Sequence, residues 1–451
     1  MGETGAAGAV RAGETGAASE RDTAPAGEKS ADARAFGAAG ADARASAGET
    51  GAGVAPAAAS GAPPARREVY LDYAAATPVD PEVLEAMLPY LTTSFENPSA
   101  PYARAREAHD ALERARATLA RLIGARPDCV TLTAGATEAT NLAFAAVEGH
   151  VVVSAIEHES VLACAGTHER RTVRVGTDGR VDPEAVARAI RPTTELVSVG
   201  LANGEIGTIQ PVREVSRVVA AERARRLAAG ERTPIYLHTD ASQAAGALSV
   251  NVSSLGCDLL TLSAAKVYGP KQVGLLWASE DVRLRPLVLG GGQEGGVRSG
   301  TQNVAGAVGF ARALELAQGR RAEESRRLAA LRDRLQAALL AGVPWAQVAG
   351  PTNPKWRLPG LLSIAFPGLE ARRLVIALER EGVSVGTGSA CAASRMRTSH
   401  VLEAVGLSRE AAQGSLRLSL GRPTTEADVD LAVEAIVRVV RAEAARVGVG
   451  A

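Results

Sequence analysis

Short apolar runs rich in β-branched residues alternate with longer stretches of helical period between Val69 and about residue 320. The apolar runs predict strands at Val130–Thr133, Val151–Ser154, Thr172–Val175, Leu196–Gly200, Ile235–Thr239, Leu259–Ser263 and Gly274–Trp277. The stretches between them predict helices at Glu138–Ala146, Pro183–Ile190 and Val212–Ala228. Because the strands are apolar at nearly every position and alternate with helices, we predict an α/β fold with a mostly parallel seven-stranded sheet covered on both faces.

The two ends of the chain follow other patterns. Residues 1–66 repeat short units such as GETGAA and carry almost no large apolar side chains, so we predict a disordered low-complexity tail there. After residue 320, a long polar helix at Ala322–Leu340 precedes a shorter strand–helix pattern that ends in a helix after Thr425. This second block predicts a smaller α+β domain.

Length, composition and charge narrow the class of protein. The chain has 451 residues, 46% of them apolar, which is enough to bury a large core. Its 50 basic and 50 acidic residues give a net charge of zero, so nothing indicates a nucleic-acid partner. We find no apolar run that could span a bilayer and no signal-peptide core, and we therefore expect a cytoplasmic protein with no membrane partner.

The four cysteines differ in their surroundings. They contain no CxxC pair, which argues against a disulfide framework and against a zinc or other metal site. Cys129, Cys164 and Cys257 lie in apolar stretches, where we expect small buried hydrophobes. Cys391 lies in GTGSACAAS, whose small side chains leave a thiol accessible as a nucleophile or sulfur carrier. From this segment alone, a purely structural cysteine is an equally good interpretation.

Two charged residues follow apolar strands directly. Lys266 comes after Leu259–Ser263, and Asp240 ends the strand that begins at Ile235. In open α/β sheets ligands bind beyond the carboxyl ends of the strands. A lysine there can form a Schiff base with a carbonyl cofactor, and a carboxylate can keep a pyridine nitrogen protonated. Taken singly, Lys266 is also typical of a solvated surface lysine and Asp240 of a helix N-cap.

A third candidate feature is the turn TAGATEATN at Thr133–Asn141, which joins a strand end to a helix start. Free N–H groups and the helix dipole make such a turn a cradle for phosphate, with the hydroxyl of Thr137 in reach. The segment matches neither a Walker loop nor a GxGxxG fingerprint, so a mononucleotide site is not favoured.

Eight segments occur in the order seen in cysteine desulfurases. They are YLDYAAATPVDPEV, TAGATEATNLA, EHESVL, HTDASQAAG, SAAKVYGPK, GGGQEGGVRSGTQN, GTGSACAAS and SLRLSLGR. From about Val69 to near its C-terminus the chain therefore resembles this family, which belongs to the class V aminotransferase group of fold type I pyridoxal-phosphate enzymes. The resemblance implies a large cofactor-binding domain at 82–320, and a small domain at 67–81 and 321–451 with the cysteine loop and a substrate arginine.

The resemblance also implies roles around a pyridoxal 5'-phosphate cofactor. Lys266 matches the Schiff-base lysine, and Asp240 matches the partner of the pyridine nitrogen. Gln243 matches a residue that bonds the phenolic oxygen, and His158 matches a catalytic histidine that stacks on the ring.

Further positions match the family's contacts with phosphate and substrate. Ala136, Thr137 and Ser263 match phosphate-binding positions, and Thr301 matches a residue that reaches the phosphate across the interface of a homodimer. Arg417 resembles the arginine that clamps the substrate carboxylate, and Asn203 is a second expected substrate contact.

The implied reaction converts L-cysteine to L-alanine and leaves the sulfur as a persulfide on Cys391, from which an acceptor protein takes it. The loop from Cys391 to the helix near Val401 is long, as in the group that serves iron–sulfur assembly and tRNA thiolation. The acceptor is then an iron–sulfur scaffold or a thiolation enzyme, and Cys391 could transiently ligate an iron–sulfur cluster. Alternatives are a selenocysteine lyase, a C–S lyase, an aminotransferase or a non-catalytic sulfur-transfer scaffold.

Four positions depart from the family pattern. Ala265 and Tyr102 stand where histidine is usual, Gly204 replaces a cofactor-contacting asparagine, and Gly295 replaces an arginine. Loss of one neutral hydrogen bond at Gly204 should cost about 0.5–1.5 kcal/mol of cofactor stabilisation, too little to abolish binding. Substrate or sulfur acceptor can therefore differ from those of other members.

Overall fold

The computed structural model describes residues 68–388 and 398–449. Its strands are β1 Val69–Leu71, β2 Val130–Thr133, β3 His150–Ser154, β4 Arg170–Val173, β5 Thr194–Ser198, β6 Tyr236–Asp240, β7 Leu259–Ser263, β8 Gly274–Ala278, β9 Gln347–Ala349, β10 Leu361–Ala365, β11 Val383–Val385 and β12 Ser415–Ser419. Its helices are α1 Pro81–Thr92, α2 Ala103–Ile123, α3 Ala136–Ala145, α4 Glu159–Ala165, α5 Pro183–Ala189, α6 Val212–Ala228, α7 Val252–Leu255, α8 Val304–Gly342, α9 Ala371–Arg380, α10 His400–Ala404, α11 Arg409–Gln413 and α12 Glu426–Val447.

Seven of the strands in these ranges form one sheet, in the order β2-β8-β7-β6-β5-β3-β4. β8 is antiparallel to both of its neighbours, and the other neighbouring pairs are parallel. The mostly parallel sheet is thus confirmed, and each predicted strand is present with its ends displaced by at most two residues. Parallel strands β3, β5, β6 and β7 therefore end at one edge.

Both faces of this sheet are covered by apolar side chains. Along β3 the side chains alternate, since Val152 packs into one hydrophobic cluster and Val151 and Val153 pack into another. This alternation follows from the two-residue period of a strand, and it explains why the strand is apolar at consecutive positions.

A separate cluster surrounds the smaller sheets, in which β12-β10-β9 are antiparallel and β1 pairs with β11 in parallel. Leu71, Phe366 and Leu418 belong to this cluster. Helix α8 contributes to two clusters, with Phe310 in the main one and Leu335 in this one. The predicted domain boundary near residue 320 falls inside α8, which begins at Val304 and not at Ala322. The division into two domains stays a prediction.

Local sequence explains how several helices begin. Asp80 caps α1 by accepting from the backbone N–H of Glu82 at 3.0 Å, and a proline follows it. Thr425 and Asp428 form a reciprocal capping box at the start of α12. The predicted tail, residues 1–66, lies outside the described residues. Within 68–388 and 398–449, no helix has the length and apolar character that crossing a membrane would require.

Candidate active site

The strand ends of the large sheet open onto a cavity of about 520 Å³. The predicted site residues that line it are Ala136, Thr137, His158, Asn203, Asp240, Gln243, Ser263, Lys266 and Arg417. Thr301 does not line this cavity and is exposed, so its predicted role in a partner's site stays a prediction. Cys391 lies outside the described residues.

Lys266 ends a short 3-10 turn that follows β7, and its side chain enters the cavity. Its Nζ donates to the carbonyl oxygens of Ala74 at 2.8 Å and Ala75 at 2.7 Å. Burial lowers the pKa of this amine, and the positive charge of Arg417 lowers it further. The negative charges of Asp240 and Asp72 raise the pKa but do not cancel this decrease. The neutral amine, which is the nucleophilic form, is therefore more accessible than in an exposed lysine.

Asp240 is the last residue of β6 and lies at the edge where the parallel strands end. Its Oδ1 accepts from the backbone N–H of Ser242 at 2.9 Å, so it caps a turn. No described helix begins here, since α7 starts at Val252. The alternative interpretation of Asp240 as a helix N-cap is therefore wrong.

The amino terminus of α3 presents free backbone donors to the cavity. Gly135 precedes the helix with a φ of +126°, and no side chain caps the first turn. The first N–H groups of a helix have no partner within the helix, and here Ala136 and Thr137 line the cavity with them. The first turn of α3 thus has the features of an anion cradle.

Arg417 projects from β12 and its side chain is only 7% exposed. Its Nη2 donates to Oδ1 of Asp72 at 2.8 Å and its Nη1 donates to the carbonyl oxygen of Gly204 at 3.2 Å. Its Nε is buried and has no hydrogen-bond partner among the described residues. A guanidinium in this state retains donors for an incoming carboxylate.

Asn203, His158 and Gln243 bond to the protein itself. The Nδ2 of Asn203 donates to the carbonyl oxygen of Ile156 at 2.9 Å, and its Oδ1 accepts from the backbone N–H groups of the two residues after Gly204. The Nδ1 of His158 accepts from the N–H of Ser160 at 3.2 Å, which leaves the proton of a neutral ring on Nε2. The Nε2 of Gln243 donates to the carbonyl oxygen of Ala74 at 3.0 Å. The predicted contacts of these side chains with cofactor or substrate stay predictions.

Several polar residues at this site were not predicted from the sequence, namely Glu157, Glu205 and His400, which line the cavity, and Asp72, which pairs with Arg417 beside it. Glu157 is buried, accepts from the hydroxyl of Ser154 at 2.5 Å, and has its pKa raised to about 7 by burial. Glu205 is also buried, and burial raises its pKa. The Nε2 of His400 lies 3.0 Å from the carbonyl oxygen of Glu157. Asp72 and Glu157 lie in quoted motifs, YLDY and EHESVL, but nothing local distinguishes a buried carboxylate from an exposed one.

The four departures from the family pattern lie in different environments. A Cβ at Gly204 would lie 2.6 Å from Cδ of Gln243. The side chain of Gln243 therefore occupies the space that a side chain at position 204 would need. Ala265 lines the cavity, whereas Tyr102 is exposed at the start of α2. Gly295 has a φ of +62°, which a residue with a side chain rarely adopts.

The other cysteines are poor candidates for chemistry. Cys164 and Cys257 are buried as expected, and burial raises both pKa values, that of Cys257 to about 12. Cys129 is only partly buried, so the prediction of full burial is wrong for it, because a 3-10 turn leads it into β2 at the edge of the sheet. Its pKa is raised as well, mainly by burial. Among the described residues, no group of three or more His, Cys, Asp or Glu could hold a metal ion.

Comparison with known proteins identifies the family. The profile of the family described as "Aminotransferase class-V" matches residues 69–432. The chain therefore belongs to the class V aminotransferase family, in agreement with its α/β fold and with the position of the cavity.

Individual relatives narrow this assignment. A protein named cysteine desulfurase IscS from Dictyoglomus turgidum is 39% identical over 387 residues, which cover 83% of this chain and 95% of that protein. The solved structure of a NifS-like protein, 33% identical, has a TM-score of 0.75 and is matched over 83% of this chain and all of that one. A structure titled "SspA in complex with cysteine" is 31% identical with a TM-score of 0.65, over 78% of this chain and 98% of that one. Within class V, the chain belongs to the cysteine desulfurase family.

The residues of the cavity fit the pyridoxal phosphate on which this family depends. The cofactor requires an amine for its aldehyde, a carboxylate for its pyridine nitrogen and donors for its phosphate. Lys266, Asp240 and the first turn of α3 supply these three groups in one cavity. Three buried polar atoms of the lining, Oγ of Ser242, Nε of Arg417 and Oε1 of Glu205, lack partners among the described residues, as expected where a polar ligand completes the hydrogen bonding.

Proposed function

We propose that this chain, a pyridoxal-phosphate-dependent cysteine desulfurase, converts L-cysteine to L-alanine with Lys266 as its catalytic amine and Cys391 as the sulfur acceptor. One observation carries the proposal. A half-buried lysine with a lowered pKa, a strand-end carboxylate, the amino terminus of α3 and a buried arginine whose Nε has no partner among the described residues converge on one cavity. Such perturbed groups in one cleft are typical of active sites.

Each residue has a distinct proposed task. Pyridoxal phosphate, when bound, supplies an electron-poor ring that weakens the bonds at the Cα of an attached amino acid. Lys266 holds the cofactor through Nζ and, once released, moves the proton of the substrate Cα. Asp240 keeps the pyridine nitrogen protonated. With the cofactor bound, His158 would pack against the ring and Gln243 would bond its phenolic oxygen.

The remaining residues of the cavity bind the two anionic groups. The first turn of α3, with Ala136, Thr137 and Ser263, binds the phosphate. Arg417 binds the substrate carboxylate through donors that the described part of the chain leaves free, and Asn203 shapes the adjoining loop.

The sulfur then passes to the protein. The Cys391 thiolate attacks the substrate sulfur, so an S–S bond forms and the Cβ–S bond breaks. The electron pair of the broken bond remains on the substrate carbons, which take up a proton to give alanine. The raised pKa values of Cys129, Cys164 and Cys257, and the burial of the latter two, support the choice of Cys391. An acceptor protein, which is an iron–sulfur scaffold or a thiolation enzyme, takes the sulfur from the persulfide.

We further propose a homodimer in the cytoplasm. Thr301 is exposed and free to serve a neighbouring subunit. The outer face of α1 and the turn after it carry exposed apolar side chains, Leu84, Leu88, Leu91 and Phe95. A contiguous apolar stripe of this kind is typical of a protein interface. The location in the cytoplasm is supported by the three described cysteines, all of which are free thiols.

Product analysis of a cysteine variant tests the proposal. We expect Cys391→Ser to retain the cofactor absorbance band and a spectral response to L-cysteine, yet to form neither persulfide nor appreciable alanine. Serine nearly preserves the shape, while its hydroxyl is far less nucleophilic than a thiolate. Cys129→Ser, which alters the most accessible of the other described thiols, is the matched control and should keep the parent rate. If Cys391→Ser forms alanine at the parent rate, the enzyme is a C–S lyase that releases sulfur without a protein persulfide.

A further inference from the structure

We infer that Asp72 is a positioning residue that presents Arg417 to the carboxylate of the substrate. The inference rests on the proposed role of Arg417, and it assigns to the YLDY segment a task that neither its sequence pattern nor its burial indicated. Asp72 does not line the cavity, and it acts through Arg417 and not on the reacting atoms.

Main-chain hydrogen bonds set the relative positions of the residues involved. Asp72 follows β1 directly and forms a parallel β-bridge with Ser419 of β12. Ser419 lies two residues after Arg417 on that strand. Gly386 follows β11, which pairs with β1, and exchanges two backbone hydrogen bonds with Arg417 at 3.0 and 2.7 Å. The backbone of Asp72 is also fixed, because its carbonyl oxygen accepts from the hydroxyl of Tyr70 at 3.0 Å. The carboxylate and the guanidinium thus project from strands in a fixed register.

Gly386 provides the space in which the two side chains meet. A Cβ at this position would lie 2.5 Å from Oδ1 of Asp72, 3.0 Å from Nη2 of Arg417 and 3.1 Å from Nε of Arg417. Any larger residue would therefore separate the carboxylate from the guanidinium. The ion pair depends on a glycine at this position for reasons of space, since its φ is not in the left-handed region.

The ion pair fixes the plane of the guanidinium without exhausting its donors. Of five N–H groups, one on Nη2 bonds Asp72, one on Nη1 bonds the carbonyl oxygen of Gly204, and three have no partner within residues 68–388 and 398–449. Two anchors on different nitrogens define the plane, and a carboxylate can then use two of the remaining donors. Because a buried arginine without a counter-charge is strongly disfavoured, Asp72 also keeps the guanidinium in place when no substrate is bound.

Binding of the product and of its amide separates positioning from general stability. L-alanine carries the carboxylate that Arg417 would bind, whereas L-alaninamide has the same size and lacks the charge. We expect Asp72→Ala to weaken binding of L-alanine to the holoenzyme about 10- to 100-fold, the range for one hydrogen bond to a charged group. L-alaninamide should bind within about threefold of the parent. Calorimetry gives both affinities, and in turnover KM for L-cysteine should rise while kcat changes little.

Three further variants make the test specific. Asp72→Asn keeps the Oδ1 acceptor but removes the counter-charge, so its affinity for L-alanine should lie between those of Asp72→Ala and the parent. Gly386→Ala leaves both partners present but forces them apart, and should reproduce the selective loss. Asp80→Ala is the matched control, since Asp80 forms another aspartate–arginine pair, with Arg422, outside the cavity lining. It should leave both affinities unchanged even though it also removes the N-cap of α1.

The outcomes distinguish this inference from the proposed role of Arg417. If Arg417→Ala does not weaken L-alanine selectively, the carboxylate clamp itself is wrong. If Arg417→Ala does so and neither Asp72→Ala nor Gly386→Ala does, Asp72 is not a positioning residue. Equal weakening of alanine and alaninamide would indicate a structural role only, and tighter binding of alanine would make Asp72 a competitor of the substrate. Each of these results overturns the inference. Should Asp72→Ala fail to fold, Gly386→Ala and Asp72→Asn carry the test.

Discussion

At the scale of single residues, the burial of Glu157 connects the protonation of one side chain to the stability of the fold. Its carboxyl accepts from Ser154 and from the backbone N–H of Gly200, but no cation in the described ranges pairs with it, and burial raises its pKa to about 7 from an ordinary value of 4.5. The folded state therefore holds a proton that the unfolded state releases between these two values. Folding stability falls as pH rises through this window, and the loss is complete above about pH 7.

Replacement of this carboxyl by an amide should remove the pH dependence. Relative to the parent, Glu157→Gln should gain about 2–3 kcal/mol in free energy of unfolding between pH 5 and pH 8, because the amide does not ionise. Urea unfolding of both proteins at the two pH values measures this, and contributions from other titrating groups cancel in the difference. Glu184→Gln, at an exposed carboxylate, should show no such gain. If the free energy of unfolding changes with pH by the same amount in Glu157→Gln and in the parent, the prediction is contradicted.

A second prediction at the residue scale concerns the close contact between Gly204 and the side chain of Gln243. A Cβ on residue 204 would come within 2.6–2.8 Å of three atoms of the Gln243 side chain, which donates to the carbonyl oxygen of Ala74. We expect Gly204→Ala to displace the glutamine and weaken cofactor binding, and Gln243→Ala to weaken it by a separate route. In the double variant the clash is gone, so the penalties should be less than additive by about 0.5–3 kcal/mol. Absorbance titration with pyridoxal phosphate measures the coupling, and strictly additive penalties would rule it out.

At the scale of secondary-structure elements, α6 is joined to the sheet by a buried arginine. Arg226 is 2% exposed and donates to the carbonyl oxygens of Arg191, Thr194, Thr233 and Pro234. Two of these lie in the chain that enters β5 and two in the chain that enters β6. The arginine thereby holds together the elements from which Asp240 projects.

The neighbouring arginine of the same helix offers a control for this interaction. Both Arg225 and Arg226 pair with Glu222, but Arg225 is about half exposed. Arg226→Met should lower the free energy of unfolding by about 3–5 kcal/mol, because it leaves buried carbonyls and Glu222 without their partner. Arg225→Met should lower it by less than about 1 kcal/mol. Urea unfolding of the two variants gives these values, and equal losses would show that the carbonyl contacts contribute little.

At the scale of the whole molecule, the apolar face of α1 bears on assembly and on cofactor binding together. If a second copy covers Leu88 and Leu91, light scattering should give the mass of a dimer, and Leu88→Glu with Leu91→Glu should give a monomer. The monomer should bind pyridoxal phosphate more weakly, because it would lack the proposed contact of a second subunit's Thr301 with the phosphate.

An apolar residue elsewhere on the surface controls for the added charge. Ile376 on α9 is 43% exposed, and Ile376→Glu should leave both the mass and the cofactor affinity unchanged. A parent protein that is monomeric and fully active would contradict the proposed dimer and the shared site with it.

How much of the fold and of the site could be predicted from the sequence depends on how far apart along the chain the interacting residues lie. The seven strands of the large sheet were predicted to within two residues because each combines a local apolar run with a polar or glycine-rich end. The start of α8 was missed because its first turns, Val304–Ala317, are small or apolar nearly all round and mostly buried in a helix that packs mainly on α1 and α2. Such a segment has no polar face and hence no helical period to detect.

The sequence by itself determined the elements, the family and the residues that carry the proposed chemistry, because these depend on local patterns and short motifs. The tertiary structure alone decided which of these side chains meet and in what state. Lys266 bonds carbonyl oxygens 192 and 191 positions away, and Arg417 pairs with Asp72 across 345 positions. Burial, and with it the shifted pKa values of Lys266 and Glu157, results from such long-range packing, which no local pattern of residues specifies.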